Sequence, residues 1–164
     1  MGTGCDTILS QMAADVLHVS TDEIFVSGAD TDNSPYDSGS YASSTTYITG
    51  QAVVKACTEL ERRICKLAAL MMECDEEDVE LEGHQVCNIK TGRSVTTEEV
   101  GFKAQSFNDF ALQVTESHTS PVSPPPYMAG AVEIELDKAT SHVEVLDYAS
   151  VIDCGTVVNP EPCD

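Results

Sequence analysis

The 164-residue chain sets 8 Lys and Arg against 28 Asp and Glu, a formal charge of −20 at pH 7. A field of that sign repels phosphate backbones and anionic headgroups, so no nucleic acid and no membrane is expected among its partners. The length supports one sizeable core, hence a single domain over 1–164. With no run of about 18 apolar residues and no basic leader ahead of an apolar core, a soluble cytoplasmic chain is expected.

The first predicted element is a helix over Asp6–Leu17, where Ile8, Leu9, Met12, Ala13, Val16 and Leu17 recur at helical steps. Gly2 and Gly4 precede it, with Asp6 or Thr7 as the expected cap. A Gly-x-Gly turn into a helix lets backbone approach a ligand closely. Val19–Glu23 reads as a polar turn and Ile24–Ser27 as a short strand. Asp30–Pro35 resembles the opening of a calcium loop, but Pro35 stands where a glycine must turn and Tyr41 where a bidentate Glu is needed. A solvated turn is expected instead.

The stretch Asp37–Gln51 is rich in Ser, Thr, Gly and Ala, and it leads into the longest helical pattern, Tyr47–Met72. Small hydroxyl residues ahead of a helix cap its unpaired N–H groups and leave a donor-rich surface on which an anion can sit. Within the helix, Val53, Cys57, Leu60, Ile64, Leu67, Ala68 and Met71 form an apolar stripe. Glu59 precedes Arg62 and Arg63 at surface-pair spacing. Gly50 costs helix propensity and reads equally as room for a close approach of backbone or ligand and as simple fraying near the helix start.

After an acidic break at Glu73–Asp78, two short strands are expected at Val79–Leu81 and Gln85–Ile89 around a Glu82–His84 turn. A second turn follows at Lys90–Arg93, then a short helix over Thr96–Val100 capped by Thr96 or Thr97. Phe110–Glu116 reads as a strand and the proline-rich Ser120–Tyr127 as a rigid connector. Ala129–Leu136 and Val143–Val151 alternate around a turn at Asp137–Thr140, which predicts an antiparallel hairpin. Taken together these elements predict an α+β fold of two layers, a mixed or antiparallel sheet with two main helices packed on it.

The seven cysteines (Cys5, Cys57, Cys65, Cys74, Cys87, Cys154 and Cys163) contain no Cys-x-x-Cys pair, and their spacing fits neither zinc nor an iron–sulfur cluster. His18, His84, His118 and His142 are solitary. No metal ligand and no catalytic residue is nominated from the residues alone.

Three segments, in order, resemble the molybdenum hydroxylases, the family of xanthine dehydrogenase, aldehyde oxidase and the nicotinate dehydrogenases. Gly2-Thr3-Gly4-Cys5-Asp6-Thr7 is similar to the family's Gly-Gln-Gly-x-x-Thr turn, with Thr3 in place of the glutamine. Ser40 through Val53 resembles its Ser/Thr-rich lead into a long helix. Asp153-Cys154-Gly155 through Asn159-Pro160 resembles its Asp-x-Gly-x-x-x-Asn-Pro segment.

The resemblance implies the C-terminal portion of a molybdopterin-binding subunit, as a fragment or one member of a split subunit, without turnover alone. It implies a molybdenum–pyranopterin cofactor, mononucleotide or dinucleotide, contacted by Gly2, Thr3 and Gly4 through backbone and by Ala42, Ser43, Ser44 and Thr45. It also implies iron–sulfur clusters and FAD on partner domains or subunits, the remainder of the molybdopterin subunit as a partner, and an aldehyde or N-heterocycle substrate. The family's general-base glutamate has no counterpart here. Residues 1–54 hold seven acids and no Lys or Arg, so an anion there would rest on uncharged donors. The alternative expectation is a non-catalytic acidic interaction or structural domain that binds no cofactor.

Overall fold

The computed structural model describes residues 2–32, 34–37, 39–41, 44–106, 112–122 and 125–158. Helix α1, Cys5–Leu17, begins one residue earlier than the periodicity predicts, and its N-cap is Gly4 rather than Asp6 or Thr7. Gly4 takes a left-handed conformation (φ 70°, ψ 20°) that glycine adopts at little cost. At the other end His18 is also left-handed, and the Val19 N–H donates to the Ala14 carbonyl at 3.0 Å, closing the last turn.

Thr21–Glu23 forms a single 3-10 turn in which the Ser20 N–H donates to the Glu23 carboxylate at 2.9 Å. The strand expected at Ile24–Ser27 is absent: these residues carry no ladder. Branched and aromatic side chains favour strands only where a neighbouring strand pairs with them. Asp30 organises the turn beyond, its carboxylate accepting the Asp32 N–H at 3.0 Å and its carbonyl accepting the Ser34 N–H at 2.8 Å.

Helix α2, Gly50–Met72, is preceded by a π-helical turn over Thr45–Thr49, so the predicted helix is continuous but its first turn is widened. Strands β1 (Val79–Glu82), β2 (Gln85–Asn88) and β3 (Ser94–Thr96) form an antiparallel sheet in the order β1-β2-β3. Val79 pairs with Asn88 and Val86 with Val95. Helix α3, Thr97–Ala104, extends the short predicted helix. Thr96 caps it, accepting the Glu99 N–H at 3.1 Å while Glu99 accepts the Thr96 N–H at 2.8 Å.

One face of this sheet packs on α2 and α3. Leu67, Val86 and Val100 are wholly buried there, joined by Ala68, Met72, Leu81 and Ala104. Burying each of the three largest contributes about 1.5–3 kcal/mol. The apolar stripe of α2 is buried at Leu67 and Ala68 and only half-buried at Val53, Cys57 and Leu60, and α1 packs on the same helix. The strand expected over Phe110–Glu116 does not form in its described part, 112–116, although Leu112 packs against the core; Phe110 and Ala111 lie outside the described residues.

The chain divides into two compact units, Met1–Pro121 and Val122–Asp164, with the boundary inside the predicted proline-rich connector. The second unit is the hairpin of β4 (Tyr127–Asp137) and β5 (His142–Asp153). Tyr127 pairs with Asp153 and Asp137 with His142, with a bulge where Glu133 pairs with Asp147 and Ile134 with Val145. The two described sheets are both antiparallel, and with three α-helices they make an α+β fold.

Candidate functional site

The glycine turn precedes the first exposed N–H groups of α1. The first intrahelical bond runs from the Ile8 N–H to the Gly4 carbonyl at 3.1 Å, so the N–H groups of Cys5, Asp6 and Thr7 have no acceptor within the helix. Gly4 offers them no side-chain cap. Gly2 and Gly4 are both left-handed, and a Cβ at either would meet nothing within 4 Å. Thr3, between the two glycines, is exposed. Asp6 in the first turn opposes an anion at this mouth.

The Ser/Thr loop is organised by its own hydroxyls. Ser44 is buried; its Oγ donates to the Gly39 carbonyl at 2.7 Å and accepts the Tyr41 N–H at 2.9 Å. The Ser40 and Thr45 hydroxyls meet directly. Asp37 ties both ends of the segment, accepting the Gly39 N–H at 2.6 Å and the Thr49 hydroxyl at 3.2 Å. Reasoning from the sequence missed Asp37; its signal is the Asp-x-Gly spacing, which suits an Asx turn. Ala42 and Ser43, two of the four residues expected to contact a cofactor, lie outside the described residues, as do Asn159 and Pro160.

The two segments are linked through the helices that follow them. Helix α1 packs against both α2 and the Thr45–Thr49 turn, and a Cβ on Gly50 would lie 2.6 Å from Met12 Sδ. The close approach at Gly50 is therefore to a protein side chain. A shallow hollow of about 360 Å³ beside α1 has Asp6, Ser10, Gln11, Thr21, Asp22 and Ile24 among its walls; Gly2–Gly4, Ser44 and Thr45 do not line it. Two carboxylates in its wall make it unsuited to a phosphate.

Several of the chain's few cations are committed away from these segments. Arg62 and Arg63 share Glu59 at 2.7 and 2.8 Å, and their hydrogen bonds hold the Glu59 carboxyl down at about 2. Lys90 pairs with buried Asp78 at 2.6 Å, which raises the Lys90 ammonium above its ordinary range. Arg93 Nη1 donates to the Met72 carbonyl at 3.3 Å. His84, expected in a solvated turn, is exposed and meets Glu23 at 2.8 Å. Among the described residues no group of three or more His, Cys, Asp or Glu is placed to hold a metal, and the described cysteines are free thiols. Burial raises the Cys57 thiol and pushes Cys65 up to about 11, as suits small apolar side chains on a helix.

The first N–H groups of α1 are donors without an acceptor in the helix, whereas the hydroxyls of Ser40, Ser44, Thr45 and Thr49 are paired within their own loop and Asp6 opposes an anion at the α1 mouth. The family model described as molybdopterin cofactor-binding domain matches residues 1–164. The probable hypoxanthine oxidase of Escherichia coli is 33% identical over 162 residues, covering 98% of this chain and 17% of that protein. The nicotine 6-hydroxylase large subunit of Paenarthrobacter nicotinovorans is 31% identical over 169 residues, covering 97% of this chain and 20% of that protein. The crystal structure of quinoline 2-oxidoreductase from Pseudomonas putida 86 superposes with a TM-score of 0.72 at 27% identity, covering 98% of this chain and 21% of that one. The chain spans about a fifth of the length of these relatives.

Proposed function

The chain belongs to the molybdopterin cofactor-binding domain family, and from that membership we propose that it serves as one cofactor-holding domain, 1–164, of the molybdopterin-binding subunit of a molybdenum hydroxylase. The observation that carries this reading is the match of the family model along the whole chain, joined to a start of α1 whose first N–H groups have neither an acceptor within the helix nor a side-chain cap. When bound, the molybdenum–pyranopterin would supply oxidative hydroxylation of an aldehyde or N-heterocycle with oxygen drawn from water.

This chain's part is to hold and orient. Gly2, Thr3 and Gly4 would approach the pterin by backbone, and the first N–H groups of α1 would supply donors to an anionic group. Ala42, Ser43, Ser44 and Thr45 would bind the pterin and its phosphate ahead of the long helix. Ser44 acts mainly by shaping the loop, because its hydroxyl already donates to Gly39 and accepts from Tyr41. Electrons leave through iron–sulfur clusters and flavin on partner domains or subunits, in the cytoplasm, and the general base comes from outside residues 1–164. The isolated chain therefore has no turnover.

A second reading, a non-catalytic acidic domain that binds no cofactor, is favoured by the internally satisfied Ser44 hydroxyl and by the absence of Lys and Arg from residues 1–54. Expression in a host that makes molybdenum cofactor, followed by metal analysis and pterin fluorescence, separates the two. Molybdenum and pterin at equal, near-stoichiometric amounts are expected; their absence from chain co-expressed with its neighbouring subunits would establish the second reading.

A further inference from the structure

We infer that one face of the β4–β5 hairpin is a docking surface for an apolar layer of the molybdopterin subunit outside residues 1–164. The identity of that partner rests on the reading above. Both strands are long, 11 and 12 residues, and every residue in them is exposed. Neither outer edge pairs with a further strand among the described residues. A two-stranded ribbon of this kind is marginal in water without a layer to pack on.

The register sorts its side chains by chemistry. Directly opposed residues share a face, and one face carries Val132 with Tyr148, Ile134 with Val145 and Leu136 with Val143. These six are 49–62% exposed. Met128 with Ile152 extends the same face, so the strip from 128 to 136 is about 27 Å long at the rise of an antiparallel strand. Within it the Tyr148 hydroxyl lies over Gly130, where a Cβ would stand 3.3 Å away. The opposite face sets Glu133 against Asp147 and Glu135 against Glu144, like charges whose direct opposition is destabilising unless water surrounds them.

The bulge is what separates the two faces. Tyr148 and Ile152 stand at even positions of β5, Val143 and Val145 at odd ones, so a regular strand would turn the two sets to opposite sides. Glu133 pairs with Asp147 and Ile134 with Val145, which leaves Leu146 as the extra residue. That residue shifts the phase by one, gathering the apolar side chains on one face and the acids on the other. A contiguous apolar strip rimmed by charge suits a face that another surface covers. The chain matches only 17–21% of the length of its relatives, so about four-fifths of such a subunit remains to supply the cover. A second copy of the chain suits it poorly, because each copy carries a formal charge of −20 and the same acids beside the strip.

Hydroxyl-radical footprinting tests this on the full chain, purified alone and purified from a host that also expresses the rest of the molybdopterin subunit. Met128 and Tyr148 are expected to oxidise several-fold more slowly in the assembly, while carbodiimide labelling of Glu133, Glu135 and Glu144 stays unchanged. Val132→Lys places a charge in the middle of the strip. Because Val132 is exposed in the chain alone, that variant should keep the wild-type circular dichroism spectrum. It should lose about tenfold or more in affinity for the rest of the subunit, the effect of burying an unpaired ammonium. Glu135→Lys puts the same charge on the other face and should bind as wild type does.

Equal oxidation of Met128 and Tyr148 in the two preparations would overturn the inference, as would protection of the acids in place of the strip or no assembly by the wild-type chain. Slow oxidation already in the chain alone would overturn it too. Sedimentation as a dimer would then assign the strip to a second copy, and sedimentation as a monomer to the chain's own first unit. Protection of the strip in an assembly holding neither molybdenum nor pterin would support the docking face and overturn the cofactor reading instead.

Discussion

Replacing Gly4 with Ala separates a backbone requirement from a packing one. Gly4 holds φ 70° and ψ 20° at the mouth of α1, and its added methyl would meet nothing within 4 Å. The cost is therefore conformational alone, about 1–2 kcal/mol for a non-glycine residue in the left-handed region. Against it stands a gain of about 0.4–1 kcal/mol from the stiffer unfolded chain, leaving a net loss of about 0.5–1 kcal/mol. Gly101 is the matched control: it sits inside α3, its Cβ also meets nothing, and its backbone is helical. Gly101→Ala should gain about 1 kcal/mol from helix propensity. The two variants should thus differ by about 1.5–2 kcal/mol, or roughly 3–8 °C in Tm for a chain of this size. Urea and thermal unfolding followed by far-ultraviolet circular dichroism measure both. If Gly4→Ala stabilises the chain as much as Gly101→Ala does, the left-handed entry to α1 is refuted, and with it the open row of N–H groups there.

Three further outcomes follow from named contacts. Thr96→Ala removes the hydrogen bond to the Glu99 N–H and should cost about 1 kcal/mol in urea unfolding, with Thr96→Ser recovering most of it. The Glu59 carboxyl is lowered from 4.5 to about 2 by its hydrogen bonds to Arg62 and Arg63. Its paired form therefore contributes fully above about pH 4.5 and is lost as pH falls toward 2. An NMR titration should place its midpoint near 2, and an unshifted midpoint would mean the fork is not populated. Because the fork lies at the surface, with Arg62 exposed and Glu59 only partly covered, the effect on stability is small. Burial, then the Glu61 charge, pushes the Cys65 thiol up to about 11, so only about one thiol in a thousand is ionised at pH 8. Timed alkylation with peptide mapping should find exposed Cys154 modified well before Cys65.

The parts of the fold that were legible are those in which local chemistry and tertiary packing agree. The period of 3.6 over Val53–Met71 marked α2, Thr96 with Glu99 marked the start of α3, and strict alternation marked the hairpin. Ile24–Ser27 and 112–116 had strand-like composition, but whether a strand forms depends on a partner that a local window does not contain. Strand β3 had the opposite fate: Ser94–Thr96 is too short to show an alternation of its own and is recruited by pairing with Gln85–Cys87. In the candidate site, Gly2, Gly4 and the Ser/Thr loop were visible as small residues ahead of helices. That Ser44 spends its hydroxyl on Gly39 and Tyr41, and that Asp37 ties the loop, depended on how the chain folds back on itself.

The sequence by itself determined which stretches are helical, which stripe of α2 is apolar and that residues 1–54 hold no Lys or Arg, because each follows from residue type and short-range spacing. Only the tertiary structure decided what Gly50 faces. Its glycine could equally have served a ligand or a frayed end, until α1 brought Met12 Sδ within 2.6 Å of where its Cβ would stand. That choice is steric, and steric exclusion between residues 38 positions apart exists only once two helices have packed.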